Sequence, residues 1–143
     1  MKISSCLGCK LSHKQLPVYV VYEDDYVICI LDHSPFNKGH TLILTKHHFF
    51  DLNEFDVETS NAIMNASILI SKAIKLAYNP DGITICQNGG IFNDLTHYHM
   101  HVIPRYRDQC FANFYLDDEI NIKDQKTNLK EVMIDIIDIL KTI

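Results

Sequence analysis

The sequence predicts an α+β fold, a mainly antiparallel sheet of about five strands with one long helix and a C-terminal helix. Three observations lead there. Short β-type runs follow one another before any helical pattern begins, a single long stretch of helical periodicity interrupts them, and a second such stretch closes the chain. Strands that arrive in runs favour antiparallel neighbours, whereas strict strand–helix alternation would favour a parallel sheet.

The first run, "VYVVYEDDYVICILD", reads as two strands around the acidic turn Glu23-Asp24-Asp25, its Val, Tyr and Ile suiting a pleated surface. "SPFNKG" is a loop because Pro, Asn and Gly favour turns, and "HTLILT" after it is a third strand. From Asp56 to Tyr78 the residues Ile63, Ala66, Ile70, Ala73 and Ala77 recur every three or four positions. This is an amphipathic helix with Asp56 as N-cap, stopped by the turn "NPDG". "ITICQ" is a fourth strand, and "HYHMHVIPRY" (residues 97–106) a fifth, which Pro104 should end because it has no backbone N–H to donate. Leu129, Val132, Met133, Ile136, Ile137 and Leu140 mark the C-terminal helix, with Asn128 and Glu131 spaced as a capping box. That helix either closes the sheet or packs on a second subunit. The stretch between, from Tyr106 to Lys130, reads as a solvated connection; shaping a binding pocket or a subunit rim are its other possible roles.

The 143 residues are expected to form one domain (1–143) with a core of its own. A formal net charge of −5 argues against a nucleic-acid partner, since affinity for a polyanion rests on Lys and Arg. A small anionic ligand needs only a few well-placed donors. No segment reaches the roughly 18 to 20 apolar residues that span a bilayer, so no membrane partner is expected. The start, "MKISSCLGCKLSHKQLP", lacks an export-type apolar run, and the five cysteines (6, 9, 29, 86 and 110) are an odd, dispersed set; both point to a reduced, cytoplasmic protein.

Chemistry concentrates in "HYHMH". On a strand, residues two apart share a face, so His97, His99 and His101 form a row while Tyr98, Met100 and Val102 point into the core. Three readings follow: a solvated face, a metal site, or nucleophilic and acid–base catalysis on an anionic substrate. "CLGC" near the start is one CxxC, open to a turn disulfide, a chance pair or half of a zinc site.

"HYHMH" followed by "VIPR" resembles the signature of the histidine triad (HIT) superfamily of nucleotide hydrolases and transferases, whose HIT-like fold is α+β. "VYEDDYVICILDHSPFNKGHTLILTKHH" and "ICQNGG" resemble the family's upstream segments, so the resemblance covers roughly residues 6 to 106. It implies attack by His99 on the α-phosphate of a purine nucleotide conjugate, giving a nucleotidyl-histidine that water then cleaves. The conjugate would be a phosphoramidate, an adenylylated compound or a dinucleoside polyphosphate such as diadenosine tetraphosphate. It further implies His101 as proton donor to the leaving group, His40 of "KGHT" beside the triad and phosphate, and Asn88 on the phosphate. Asp32 would hold the ribose hydroxyls, with Ile30, Leu31 and His33 near the base. No cofactor is required for the chemistry, and a homodimer is expected by analogy.

One departure stands out. Many relatives carry a Gly-Gln pair shortly before the triad, whereas this chain reads "GGIFNDLTHYH", about one residue shorter. Asn93 is expected to replace the glutamine donor at shorter reach; Asp94 would repel phosphate if it pointed inward. A branch of the superfamily also completes the CxxC with two histidines. The resemblance maps structural zinc onto Cys6, Cys9, His48 and His97, with His47 as a one-residue alternative. Two other functional readings are a nucleotide-binding regulatory module with little turnover, and a metalloprotein in which all three triad histidines are ligands.

Overall fold

A computed structural model of the protein describes residues 5–116 and 127–143. In chain order its elements are α1 (Leu7–Ser12), β1 (Val20–Glu23), β2 (Val27–Leu31), β3 (Thr41–Thr45), α2 (Val57–Tyr78), β4 (Gly82–Cys86), β5 (His99–Arg105) and α3 (Leu129–Leu140). The sheet has five strands in the order β1-β2-β3-β5-β4, every neighbouring pair antiparallel. The α+β expectation from strand runs and two periodic segments holds.

Strand alternation divides the sheet's side chains between two different environments. Val27, Cys29, Leu31, Ile43 and Val102 face the helices and pack with Ala66, Ile70 and Ile74 of α2 and Val132 and Ile136 of α3. Full burial of a side chain such as Ile136 stabilises the fold by about 1.5–3 kcal/mol. The other face carries a smaller cluster of Ile28, Ile30, Leu42 and Leu44, covered in part by Leu11 and Val18. His99 and His101 stand opposite Leu44 and Leu42 across the β3–β5 pair, so both project from this second face, the one α2 and α3 leave open.

Local signals set the ends of the helices. The Asp56 carboxylate accepts from the Thr59 amide at 2.7 Å to start α2, and Asn79 closes it in the left-handed conformation at φ 46°. Asn128 accepts from the amides of Lys130 and Glu131 at the start of α3, which packs on α2 and β1 of its own chain.

Two details of the fifth strand differ from expectation. Pro104 does not end it: β5 runs on to Arg105, with Pro104 opposite Ile83 of β4. The Pro104 carbonyl accepts from the Asn37 side chain at 2.8 Å, on the β3 side. A residue's nitrogen and carbonyl point the same way along a strand, so the missing N–H also faces that side, beyond the last β3 pair at Val102, and costs β4 no hydrogen bond. His97 and Tyr98 precede the strand in an irregular turn, although both are buried. Downstream, Phe111–Tyr115 form a short 3-10 helix. The charged part of the expected connection, residues 117–126, lies outside the described residues.

Candidate functional site

The row of histidines serves two places. The first is a cleft of about 680 Å³ on the open face, walled by His99, His101, Asp32, Asn88 and Asp94 and closed at one side by Phe114 and Tyr115. His99 is 3% exposed. Its Nδ1–H donates to the His97 carbonyl at 3.0 Å, so in the neutral ring the lone pair lies on Nε2, which faces the cleft 3.4 Å from a carboxylate oxygen of Asp94.

A chain of hydrogen bonds sets the proton on His101. The Phe36 amide donates to Nδ1 of His40 at 3.0 Å, so a neutral His40 carries its proton on Nε2. That nitrogen lies 2.9 Å from Nδ1 of His101, which accepts, leaving the proton of His101 on its own Nε2. Burial, with His99 alongside, pushes the His101 imidazole down to about 4, so the ring is neutral at pH 7. Asp32 reaches His40 Nε2 at 3.5 Å, and Asp32, His40 and His101 lie close enough to suggest a metal site. The Phe36 amide argues against one. An ion on His40 Nε2 would need the ring proton on Nδ1, where it would face the Phe36 N–H head on.

The aromatic segment after β5 completes the wall. The Phe114 ring lies 5.2 Å from that of His101 and 5.8 Å from that of His40, and stacks on Phe111 at 5.3 Å. The Arg105 guanidinium sits 4.2 Å over Phe111. Asn37 and Gln109 exchange two amide hydrogen bonds, at 2.7 and 2.8 Å, tying this segment to the loop before β3. Sequence reasoning missed Phe114 and Tyr115. Three aromatics within five residues, "FANFY", were the available signal, masked by the charged residues that follow.

Other residues fall unevenly. Asp32, His33 and Asn88 all line the cleft, Asp32 also accepting from the Ser34 amide at 2.8 Å. Leu31, expected near the base, faces α2 in the main core, because adjacent strand residues cannot share a face. Ile30 does lie on the open face but is packed under Leu42 and Leu44 and is not among the cleft walls. Asn93, expected as a phosphate donor, is buried in its loop: its amide donates to the Phe50 carbonyl at 3.1 Å and its oxygen accepts from Leu95 at 3.2 Å. The neighbour Asp94 is the residue that reaches the cleft.

The second place lies at the other end of the row. Cys6, Cys9, His48 and His97 bring one ligand atom each to within 4.8 Å of one another. The His97 Nδ1 is 3.7 Å from the Cys6 sulfur, 3.4 Å from the Cys9 sulfur and 3.3 Å from His48 Nδ1, and the last two are 3.2 Å apart. A tetrahedral zinc ion with ordinary Zn–S and Zn–N bonds has ligand–ligand edges of about 3.3–3.8 Å, so the donor set fits it. The other nitrogen of His97 is 2.7 Å from the Thr45 carbonyl, the outer-shell bond that holds a ligating imidazole. His47 turns away to pack on Phe49. Gly8 lets α1 approach this closely, since a Cβ there would come within 2.2 Å of the His97 Cβ. The triad does not converge on one ion: among the described residues His97 groups with the cysteines, His101 with Asp32 and His40, and His99 with neither.

An imidazole fixed by a backbone carbonyl, a second imidazole beside it in the same cleft and a Cys2His2 cluster behind them make up a histidine-triad site. The HIT domain family matches residues 13–108, and the chain belongs to that family. It is 38% identical to Protein hit of Bacillus subtilis over 104 residues, covering 71% of this chain and 72% of the relative. It is also 35% identical over 109 residues to adenylylsulfatase HINT3 of Arabidopsis thaliana, covering 75% of this chain and 55% of that one. Among solved structures it resembles a zinc-bound histidine triad family protein of Mycobacterium smegmatis, with TM-score 0.80, 27% identity and coverage of 99% and 96%. No helix among the described residues is long and apolar enough to cross a membrane.

Proposed function

We propose that the protein is a nucleotide hydrolase that moves the nucleotidyl group of a purine nucleotide conjugate onto His99 and then onto water. One observation carries this reading: the bond from His99 Nδ1 to the His97 carbonyl leaves Nε2 as a lone pair aimed into the cleft, beside a His101 that carries its proton on Nε2. Neutral imidazole is already nucleophilic near pH 7, so no separate base is needed to activate it. His101 protonates the leaving atom, and His40 keeps the His101 proton on the correct nitrogen. Asn88 contacts the phosphate, Asp32 the ribose hydroxyls, and His33 lies at the base end. The name of the relative HINT3, an adenylylsulfatase, agrees with this chemistry.

Cys6, Cys9, His48 and His97 hold zinc in this reading, an ion that ties α1 to the turn before β5 and supplies structure, not Lewis acidity at the cleft. A homodimer in the cytoplasm belongs to the same proposal; β4, one of the two outer strands of the sheet and with Ile85 exposed, offers an edge for it. The test is turnover of adenosine phosphoramidate, an adenylylated compound and diadenosine tetraphosphate by wild type and His99→Ala, with rapid-quench trapping of labelled nucleotide on protein in alkali, where a phosphorus–histidine bond survives. Label on wild type and none on His99→Ala is expected. Full turnover by His99→Ala would refute the mechanism.

A further inference from the structure

Asn88, Phe92, Asp94 and Leu95 all reach the cleft from one irregular loop between β4 and β5. Its internal bonds are local turns, such as those from the Phe92 amide to the Gly89 carbonyl at 3.2 Å and from the Asn93 amide to the Gly90 carbonyl at 3.1 Å. Bonds of that kind shape a loop without fixing where it lies against the sheet. A second segment, Phe49-Phe50-Asp51, supplies the fixed points. The Phe49 carbonyl accepts from the Tyr98 amide at 2.7 Å, and the Phe50 carbonyl from the Asn93 side chain at 3.1 Å. The Asp51 carboxylate then accepts from the Gly90 amide, at 3.1 and 3.3 Å to its two oxygens. Glu54 steadies the segment in turn, accepting from the Phe50 and Asp51 amides at 2.8 and 2.7 Å.

We infer that Asp51 is a positioning residue, holding the Gly89–Gly90 turn so that Asn88 stands where the phosphate binds. This rests on the hydrolase reading above and adds the residue that sets its phosphate contact. Asn88 lies two residues before Gly90, and without Asp51 the next anchor on this segment is as far along as Asn93. A carboxylate accepting from a backbone amide makes a charge-assisted bond, stronger than the neutral pairs beside it. The turn is built to receive it. Gly90 takes a left-handed φ of 59°, and a Cβ on Gly89 would collide with the Asp51 carboxylate. Asp51 itself is not among the cleft walls, so it acts on a bound phosphate through the loop and not by touching it.

The placement predicts which part of a nucleotide feels the change. Asp32 and His33 come to the cleft from the end of β2, where the Asp32 carboxylate is held by the Ser34 amide at 2.8 Å. The Asp51 bonds lie on the β4–β5 loop instead. Loss of Asp51 should therefore weaken the hold on phosphate and leave the nucleoside end as it was. Displacing a contact by about 1 Å costs up to roughly a hundredfold at a reacting centre, and a partly restrained loop should lose less. Asp51→Asn keeps a carbonyl oxygen that the Gly90 amide can still reach, so it should restore most of what Asp51→Ala removes.

The test is the affinity of adenosine monophosphate and of adenosine, by calorimetry, in wild type, Asp51→Ala, Asp51→Asn, Gly89→Ala and the Asp51→Ala/Gly89→Ala double variant. Asp51→Ala is expected to weaken the monophosphate about tenfold and adenosine by less than about twofold, with melting and zinc content close to wild type. Asp51→Asn should recover most of that loss. Gly89→Ala pushes the turn off the same carboxylate, so it should match Asp51→Ala, and the double variant should be no worse than either single one. An unchanged monophosphate affinity in Asp51→Ala, or an equal loss of both ligands, would overturn the inference. So would a double variant in which the two losses multiply to about a hundredfold. In each of those cases labelled nucleotide trapped on His99 of wild type would still uphold the hydrolase reading, whereas failure to trap it would overturn both.

Discussion

His97 and His99 are two residues apart, both nearly inaccessible to solvent, and the fold sets them apart by giving the backbone a different nitrogen of each. At His97 the Thr45 carbonyl takes Nε2 and leaves Nδ1 among two thiols and a second imidazole. At His99 the carbonyl of His97 takes Nδ1 and leaves Nε2 in the cleft. His101 makes the third case, with Nδ1 accepting from another histidine so that Nε2 presents a proton. An imidazole is a ligand, a nucleophile or a donor according to which atom its neighbours have already occupied. Residue type and spacing are the same at all three.

The sharpest way to break this comparison is to remove one ring from each end. His99→Ala is expected to lower turnover by about a thousandfold or more, since it removes the imidazole proposed above as nucleophile, the one whose Nδ1 is held by the His97 carbonyl. Its melting temperature should stay within a few degrees of wild type. Cys9→Ser should do the reverse. Bound zinc, measured by elemental analysis, is expected to fall to near zero. A ligand held at a thousand times its dissociation constant adds roughly 4 kcal/mol, so melting should drop by roughly 10–15 °C. At low temperature the remaining folded protein should keep turnover within several-fold of wild type. Equal loss of activity in both variants without loss of metal in the second would erase the distinction between the two ends.

His40→Phe probes the middle of the row. It keeps an aromatic ring against Phe114 but removes the Nε2–H that His101 accepts, so the His101 proton is free to move to the nitrogen facing away from the cleft. About 10- to 100-fold is expected from kcat with little change in KM. Restoration of activity with a substrate whose leaving group needs no protonation, such as a nitrophenyl ester, would identify the lost function as proton donation. Gly8→Ala tests the other end by geometry alone: the added methyl meets the His97 side chain, which must shift. About 1–3 kcal/mol of stability and part of the metal affinity should go with it, read by melting and by competition with a chelating dye.

The sequence made parts of this plain and hid others for identifiable reasons. Strand runs and helical periods located the five described strands and the two long helices, because a two-sided sheet with one helix-covered face writes its alternation directly into the chain. The Cys6, Cys9, His48 and His97 group, and the choice of His48 over His47, came with a resemblance that spans distant segments; spacing within any one segment did not contain it. Pairing is also why Leu31 was misplaced. Its neighbour Asp32 belongs to the cleft, yet on β2 consecutive side chains part to opposite faces. Asn93 and Asp94 show the limit at finer scale. Both are polar, adjacent and on one loop, and only the carbonyl of Phe50, more than 40 residues away in sequence, decides that Asn93 turns inward to the fold and Asp94 outward to the cleft.

The smallest effect is expected at the residue that sequence reasoning did not single out. Phe114 touches no proton and holds no ligand, but its ring covers both His40 and His101, and it is carried there by a stack on Phe111 that Arg105 caps from the far side. Burial is the chief reason the His101 ring stays neutral, and this ring supplies part of that burial. Phe114→Leu retains apolar cover but not the flat contact. It should admit water at the edge of the histidine pair and lower kcat two- to fivefold, a figure in line with loosening a positioning contact by about 0.5–1 kcal/mol. Because His97 and the cysteines lie at the opposite end of the row, zinc content should not move at all. A Phe114→Leu protein that loses metal along with activity would mean that the two ends of the row are mechanically coupled through β5, and the division of labour drawn from their hydrogen bonds would have to be redrawn as a single unit.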